Sequence, residues 1–204
     1  AWRRRLRLAV ENDDHRSLLY SASDIDIRPT RRMYRHPYLA RLGPEALDEE
    51  ADTFLRRLDD PRFRGRQLAA LLLDQSFAAG LGNYLRSEIL WFAKVHPRRR
   101  PKDLRKRDRQ RLARAICRIP RRSYRTGGAT NRPGVAKRLG KEGLPRRAWR
   151  WAVFARTGKP CHDCGERIRR IELNRRLYLC PGCQALSEAP AAARSTSRRG
   201  RAGR

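Results

Sequence analysis

The sequence has few acidic residues and no long apolar run. No stretch approaches the roughly 18 consecutive apolar residues of a membrane-spanning helix, so we predict no transmembrane segment. The opening residues, AWRRRLRLAV, mix arginines among apolar residues and are therefore not expected to be a signal peptide. With 39% hydrophobic residues in a chain of 204, we expect one or two domains with modest cores.

Positive charge dominates the composition. Lysine and arginine number 50 against 21 acidic residues, which gives a net charge of +29. A compact chain with this charge repels itself unless a polyanion offsets it, so nucleic acid is the first candidate partner and an anionic membrane surface the second. Residues 43–60 hold seven acids and two bases, whereas residues 98–150 hold 21 bases and three acids. This asymmetry indicates a basic face rather than an evenly charged surface.

Four of the five cysteines form two C-x2-C pairs separated by 15 residues: Cys161, Cys164, Cys180 and Cys183. Two such knuckles joined by a β-hairpin bring four thiolates around one tetrahedral Zn²⁺. Two disulfides are the alternative, but they require an oxidising compartment, and nothing in the sequence indicates secretion. Because the protein supplies all four ligands, the zinc is predicted to be structural.

Other residues near this motif receive simpler interpretations. The fifth cysteine, Cys117, lies on the apolar face of a predicted helix and is expected to be buried rather than nucleophilic. His162 lies between two ligands and is expected to face solvent. The tip of the predicted finger carries Asn174, Arg175 and Arg176. Rigidly held arginines suit a phosphate group, although a solvated turn would have the same composition.

Hydrophobic periodicity predicts mainly helices between the two ends of the chain. The predicted helices cover about residues 45–58, 63–79, 83–95 and 103–119. Pro120 is expected to end the last of them, residues 121–148 to form a loop, and AWRWAVFARTG to form a strand. Near the start, RLRLAV and SLLYSASDIDI predict a β-hairpin.

Gly80, Gly82 and Asn83 interrupt the most apolar stretch, LLLDQSFAAGLGNYLRSEILW. Glycines permit a positive φ and let another surface approach closely. Asn83 is predicted to be the N-cap of the following helix, whose free N–H groups would form an anion site. An ordinary tight turn with an asparagine cap is the alternative. The net charge and the arginines of the predicted finger favour phosphate binding.

Two segments resemble a known family. RFRGRQLAALLLDQSFAAGLGNYLRSEILW resembles the helix–two-turn–helix element of the formamidopyrimidine-DNA glycosylase / endonuclease VIII family. VFARTGKPCHDCG and NRRLYLCPGCQ resemble the zinc finger of that family. LLYSASDIDI, DPRFRGRQL and IPRRSY are most similar to the endonuclease VIII branch.

The resemblance implies an α+β fold of several parts. They are the last strands of an N-terminal β-sandwich at residues 1–28, a helix–two-turn–helix domain at 29–148 and a β-hairpin zinc finger at 149–184. Residues 185–204 have no core-forming pattern and are expected to be a disordered basic tail. The loop at 126–148 is more basic and longer than the family pattern leads us to expect.

The resemblance also implies a function. The complete protein is expected to be a base-excision repair DNA glycosylase and AP lyase that acts on oxidised bases, with pyrimidines favoured, and cleaves by β,δ-elimination. Asn83 and Arg175 match the residues that hold phosphate, and Arg175 also matches an arginine of the last elimination. The implied partner is double-stranded DNA with oxidised or abasic sites, bound by a monomer without a membrane in the bacterial cytoplasm.

One expected feature has no counterpart in the sequence. The family uses an N-terminal Pro-Glu as nucleophile and acid, with an assisting lysine, whereas this chain begins with Ala1-Trp2. The chain is therefore expected to carry the DNA-binding part of such an enzyme and to lack activity alone. Two alternatives are a non-catalytic zinc-dependent protein that binds DNA or RNA and a zinc-ribbon assembly factor of the ribosome-associated kind.

Overall fold

The chain folds into two units, Ala1–Ala40 and Arg41–Arg204, in a computed structural model that describes residues 5–173 and 175–186. Among those residues, no helix combines the length and the apolar character that crossing a membrane requires. The predicted basic tail falls almost entirely outside the described residues, as does Asn174.

The first unit contains the predicted hairpin. Strands β1 (Leu6–Glu11) and β2 (Arg16–Tyr20) pair antiparallel, and two short 3-10 helices follow at Thr30–Arg35 and Leu39–Arg41. The Asn12 side chain accepts hydrogen bonds from two backbone N–H groups of the connecting turn. All but one of the hairpin's residues are exposed, so these two strands have no buried face of their own.

The second unit is mainly helical and ends in a hairpin. Its elements are α1 (Ala51–Asp59), α2 (Pro61–Arg64), α3 (Leu68–Leu71), α4 (Asn83–Phe92), a 3-10 helix (Pro101–Asp103), α5 (Lys106–Arg125), α6 (Pro133–Lys141), α7 (Arg146–Trp149), β3 (Arg169–Leu173) and β4 (Arg175–Leu179). The two strands pair antiparallel in register from Arg169↔Leu179 to Leu173↔Arg175. The α+β fold, with a helical domain followed by a β-hairpin and a four-cysteine cluster, agrees with the sequence-based prediction.

Helix α4 lies at the centre of this unit. Residues 85–93 are all buried, because α5 packs on one side of the helix and β4 on another. A helix surrounded in this way is normally apolar on every face. Yet α4 buries Arg86, Ser87 and Glu88 in succession, each fully shielded from solvent. These three residues must therefore find hydrogen-bond partners within the protein.

The Glu88 carboxylate binds the segment that precedes the finger. It accepts hydrogen bonds from the backbone N–H groups of Ala152, Val153 and Phe154 at 2.8–2.9 Å and from the Thr130 hydroxyl. These contacts correct the predicted strand over AWRWAVFARTG, which forms α7 and then irregular chain. The N–H groups that a strand would direct at a neighbouring strand are directed at one carboxylate.

The prediction of one helix over residues 63–79 was wrong. The segment forms α2 and α3, each of one turn, followed by turns. Asp74 accepts a hydrogen bond from the Ser76 N–H at 2.8 Å, and Gln75 bonds the backbone of Gly80 and Leu81. Polar side chains that bind nearby backbone groups compete with the helix ladder, and here they replace it.

The prediction that the last long helix ends at Pro120 was also wrong. Helix α5 continues through this proline to Arg125, and residues 121–148, predicted as loop, include its last turn, all of α6 and most of α7. Proline removes one N–H donor from the ladder. Burial of Ile119 and Ser123 on either side keeps the helix against α4, which outweighs that loss.

We predict that Glu88→Ala destabilises the second unit by about 3 kcal/mol or more. The substitution leaves three N–H groups without an acceptor, two of them fully buried, at about 1–3 kcal/mol for each buried group. Urea denaturation followed by tryptophan fluorescence measures the change. Glu142→Ala, which removes an exposed carboxylate, should change the free energy of unfolding by no more than about 0.5 kcal/mol. Equal unfolding midpoints for the two variants would contradict the role of Glu88.

Candidate functional site

A single buried guanidinium joins the start of α4 to the tip of the finger hairpin. Arg86 Nη2 donates hydrogen bonds to Asn83 Oδ1 at 2.6 Å and to the backbone oxygens of Arg175 at 3.2 Å and Arg176 at 3.1 Å. The helix start and the finger tip, which are about 90 residues apart in sequence, thus contact the same side chain. The two residues expected at the phosphate site lie on one side of the molecule.

The other amino group of Arg86 donates hydrogen bonds to two further backbone carbonyls. Its Nη1 donates to the Ala69 carbonyl at 2.8 Å and to the Leu173 carbonyl at 3.3 Å. Burial, together with the nearby positive charge of Arg175, lowers the pKa of Arg86 to about 10, so the group remains protonated at neutral pH. Among the described residues no carboxylate pairs with Arg86. The site therefore keeps a net positive charge.

Asn83 does not cap the helix, which corrects the prediction. Gly82 precedes α4 without a side-chain cap, and Asn83 is the first helical residue. Because Arg86 fixes the amide oxygen of Asn83, the amide NH2 group is left as a donor that has no partner in the described part of the chain. The first N–H groups of α4 lie beside it without intrahelical acceptors. The helix start thus offers several donors and a positive dipole end to an anion.

The two glycines before α4 differ from each other. Gly80 has a φ of +82°, which only glycine adopts without strain and which turns the chain toward α4. Gly82 has extended backbone with a φ of −114°, so the positive φ expected for it is absent. Between this turn and α5 lies a cleft of about 370 Å³, whose walls include Gly80, Tyr84, Pro120 and Tyr124. We refer to it as the α4 cleft.

Arg175 and Arg176 begin β4 and are both exposed. Successive side chains of a strand point to opposite faces, so only one of the two can face the start of α4. Arg175 shares its face of β4 with the buried Leu177 and Leu179, whereas Arg176 lies on the opposite face. Neither side chain forms an ion pair within the described residues.

The four predicted zinc ligands converge. The Sγ atoms of Cys161, Cys164, Cys180 and Cys183 all lie within 4.8 Å of one another, with separations of 3.4, 3.6 and 3.8 Å across three of the pairs. A tetrahedron with Zn–S bonds of about 2.3 Å has edges of about 3.8 Å, so these thiols fit zinc closely. With four protein ligands no position is left for a reacting water. The cluster fits one structural zinc ion.

The finger is attached at both ends of α4. At one end Tyr178 N–H donates to Ser87 Oγ at 3.3 Å, beside the Arg86 contacts. At the other end Asp163, which lies between two cysteines, accepts hydrogen bonds from both amino groups of Arg132 at 2.7 and 2.9 Å and pairs with Lys94. Two attachments prevent the hairpin from pivoting about the metal.

The predictions for Cys117 and His162 have different outcomes. Cys117 is buried in the core of α5 as predicted, and burial raises the pKa of its thiol to about 11. His162 was expected to face solvent but is half-buried, and burial lowers its pKa to about 4. Its Nε2 has no hydrogen-bond partner in the described part of the protein.

Sequence reasoning missed Arg86 and Glu88. Both lie within YLRSEILWF, where charged residues interrupt an otherwise apolar helix. That interruption was the available signal, since a charge buried in a central helix requires several protein partners.

We predict that Cys164→Ser abolishes stoichiometric zinc binding. The variant loses one thiolate of the tetrahedron, and the small finger has too little core to fold without its metal. The metal content of the purified chain, measured by mass spectrometry, should fall well below one zinc per chain. Cys117→Ala removes a buried cysteine outside the cluster and should retain one zinc. Full zinc content in Cys164→Ser would exclude the four-thiolate site.

Comparison with known proteins places this geometry in a family. Residues 42–133 match the model of the formamidopyrimidine-DNA glycosylase H2TH domain. Endonuclease 8 of Escherichia coli K12 is 44% identical over 182 residues, which cover 88% of this chain and 66% of that protein. The protein from Shigella sonnei shows the same identity and coverage. The chain thus spans about two thirds of the length of these relatives.

Solved structures agree with the sequence matches. The MutM (Fpg) protein of Thermus thermophilus is 31% identical with a TM-score of 0.67, and the match covers 88% of this chain and 68% of that one. Fpg of Lactococcus lactis, solved with DNA that contains FAPY-dG, is 26% identical with a TM-score of 0.61, over 76% of this chain and 56% of that one. The chain therefore belongs to the formamidopyrimidine-DNA glycosylase / endonuclease VIII family of base-excision repair and is a homologue of endonuclease VIII.

Proposed function

We propose that this chain grips the sugar-phosphate backbone of damaged double-stranded DNA between Asn83 and Arg175. The observation that carries the proposal is the Arg86 bridge, which holds the helix start and the finger tip against each other. The Asn83 amide, the free N–H groups of α4 and the exposed Arg175 guanidinium are all donors. Such a concentration of donors around an unpaired buried cation suits a phosphate oxygen.

The proposal extends to the activity of the complete protein. The similarity to endonuclease 8 and to Fpg supports a DNA glycosylase and AP lyase that removes oxidised bases, with pyrimidines favoured. In that chemistry an amine attacks the sugar C1′ while the base leaves with a proton, and the resulting Schiff base permits elimination. The damaged nucleotide must leave the base stack first, and a fixed grip on the backbone assists this step.

Arg175 is proposed to act in the last elimination as well. β-Elimination and δ-elimination break the C3′–O and C5′–O bonds, and each releases a phosphate whose negative charge increases as the bond breaks. A guanidinium hydrogen-bonded to that phosphate stabilises the increasing charge. Arg175 is suited to this role because its side chain is exposed, while Arg86 fixes its backbone.

A non-catalytic DNA-binding role for the chain is the second candidate. It is favoured by the chemistry of the described site, since Asn83, Arg86 and Arg175 offer amide and guanidinium donors to a phosphate and none of them is an amine. Under this proposal the chain recognises a lesion or abasic site through its backbone contacts and leaves the strand intact.

Borohydride trapping separates these candidates. A Schiff base between a protein amine and an abasic site is reduced by borohydride to a stable covalent adduct. We expect this chain to bind an abasic-site duplex in a gel-shift assay without forming an adduct. An adduct would identify an amine within this chain as a nucleophile and would contradict the non-catalytic assignment of this segment.

We predict that Arg175→Ala weakens binding to every DNA duplex and reduces the slope of log K against log salt by about 0.9, as loss of one phosphate contact should. Fluorescence anisotropy over a range of salt concentrations measures the slope. Arg176→Ala removes the same charge from the opposite face of β4, so it should leave the slope nearly unchanged. Equal slope changes in both variants would assign the effect to general charge and not to a contact at Arg175.

A further inference from the structure

A second strongly basic surface lies on α5. Five arginines of this helix line a groove of about 590 Å³ beside the start of α1: Arg114, Arg118, Arg121, Arg122 and Arg125. We refer to it as the arginine groove. The floor includes Ala51 and the buried Cys117, and the carboxylate within the groove is that of Glu50.

Two of the five arginines have partners within the fold. Arg121 donates to the carbonyls of Leu47 and Glu49 and pairs with Glu50 at 2.9 Å. Arg122 donates to the Thr130 carbonyl at 3.0 Å. These two side chains brace the loops around α5, so fewer of their N–H donors are free for a ligand.

The other three arginines have no such partner. Arg114, Arg118 and Arg125 are exposed, and their side chains form no hydrogen bond or ion pair with any residue that the structure describes. Burial and the neighbouring positive charges of Arg118 and Arg132 lower the pKa of Arg122, which is consistent with an excess of positive charge in the groove. Each further positive charge increases the electrostatic repulsion among these arginines unless an anion binds in the groove.

The spacing of these three residues suits a regular polyanion. They lie four and seven residues apart, so they share one face of α5 and span about 16 Å at 1.5 Å per residue. A duplex carries a phosphate every 3.4 Å or so along each strand, and the row therefore covers about five base pairs. An acidic peptide would need large apolar or aromatic anchors for stable docking, whereas Ala51 and Cys117 provide only small ones.

The groove lies on the side of α5 that is turned away from α4. Tyr84 of α4 bonds Ser123 of α5 at 3.0 Å, and Pro120 lies on the same side of α5 as Ser123. At about 100° per residue, Arg118 and Arg125 lie roughly 140–160° around α5 from Pro120. The arginine groove and the start of α4, which carries Asn83, therefore lie on different sides of α5.

We propose that the arginine groove binds the phosphate backbone of a second nucleic-acid segment while the Asn83–Arg175 site holds the first. The chain then bridges two duplexes. Such bridging lets a DNA-binding protein transfer between segments without dissociating into solution. The groove binds through its own charge and does not require any catalytic activity.

A two-duplex capture assay tests the proposal. The whole chain is bound to an abasic-site duplex on beads, and a fluorescent undamaged 30-base-pair duplex is then added. The wild-type chain should retain the second duplex, and Arg114→Gln, Arg118→Gln and Arg125→Gln combined should lose it while staying on the beads. Glutamine has nearly the helix propensity of arginine, so α5 should remain folded. In solution the combined variant should lower the salt slope for undamaged duplex by about 2.7.

The control variant loses the same number of positive charges at positions outside the arginine groove. Arg31→Gln, Arg32→Gln and Arg64→Gln combined replace exposed arginines outside the groove and should retain the second duplex. The proposal is overturned if the groove variant captures as much second duplex as the control does. It is also overturned if polyglutamate displaces that duplex more effectively than unlabelled DNA, which would indicate an acidic protein partner.

A further variant tests the Asn83–Arg175 site independently of the groove. Asn83→Ala combined with Arg175→Ala should weaken the binding of every duplex at the first site, the abasic-site duplex included, yet still allow an undamaged duplex to bind in the groove. If this variant binds the abasic-site duplex like wild type while the groove variant loses the second duplex, the proposed function fails and the groove proposal stands. The opposite pattern contradicts the groove alone.

Discussion

The buried guanidinium of Arg86 is the interaction on which the site depends. Moving a cation out of water costs several kcal/mol, and such a charge persists only when protein groups accept its hydrogen bonds. Here four backbone carbonyls and the Asn83 amide accept from its two amino groups, and no described carboxylate neutralises it. The same bonds fix the finger tip to the start of α4. The positioning of the site and its positive charge therefore have one physical origin.

Glu88 has the complementary role two residues further along α4. Its carboxylate is satisfied by backbone N–H groups, just as the amino groups of Arg86 are satisfied by backbone carbonyls. The two charges do not pair with each other, so each is free to fasten a different segment to the helix. The zinc cluster adds a third constraint. Its four cysteines join the two strands of the finger at the end where Asp163 pairs with Lys94. Metal, buried acid and buried base together make the finger and α4 one rigid platform.

Some of this arrangement could be predicted from the sequence, because short spacings specify it. The C-x2-C pairs indicate the metal ligands, and the alternating pattern near the start indicates a hairpin. The contacts of Arg86 and Glu88 could not be predicted, since most of their partners are backbone groups 17 to 90 residues away. The turns within residues 63–79 were not predicted for a related reason. Asp74 and Gln75 form hydrogen bonds with nearby backbone groups, and hydrophobic periodicity carries no information about such bonds. Pro120 was misjudged because packing on α4 outweighs one lost hydrogen bond.

The few acidic residues of the chain determine where its many bases can act. Several acids of the second unit pair with a nearby cation: Asp59 with Arg109, Asp60 with Arg62, Asp74 with Arg66, Asp108 with Arg111, Glu50 with Arg121, and Asp163 with Arg132 and Lys94. These pairs brace loops, helix ends and the zinc knuckle. None of them involves Arg175, Arg114 or Arg118. Acids thus neutralise positive charge where they hold parts of the fold together, and positive charge remains at the finger tip and at Arg114, Arg118 and Arg125 of α5. A polyanion is attracted to the places that the acids leave open, so the distribution of 21 acids, more than the number of bases, defines the binding surfaces.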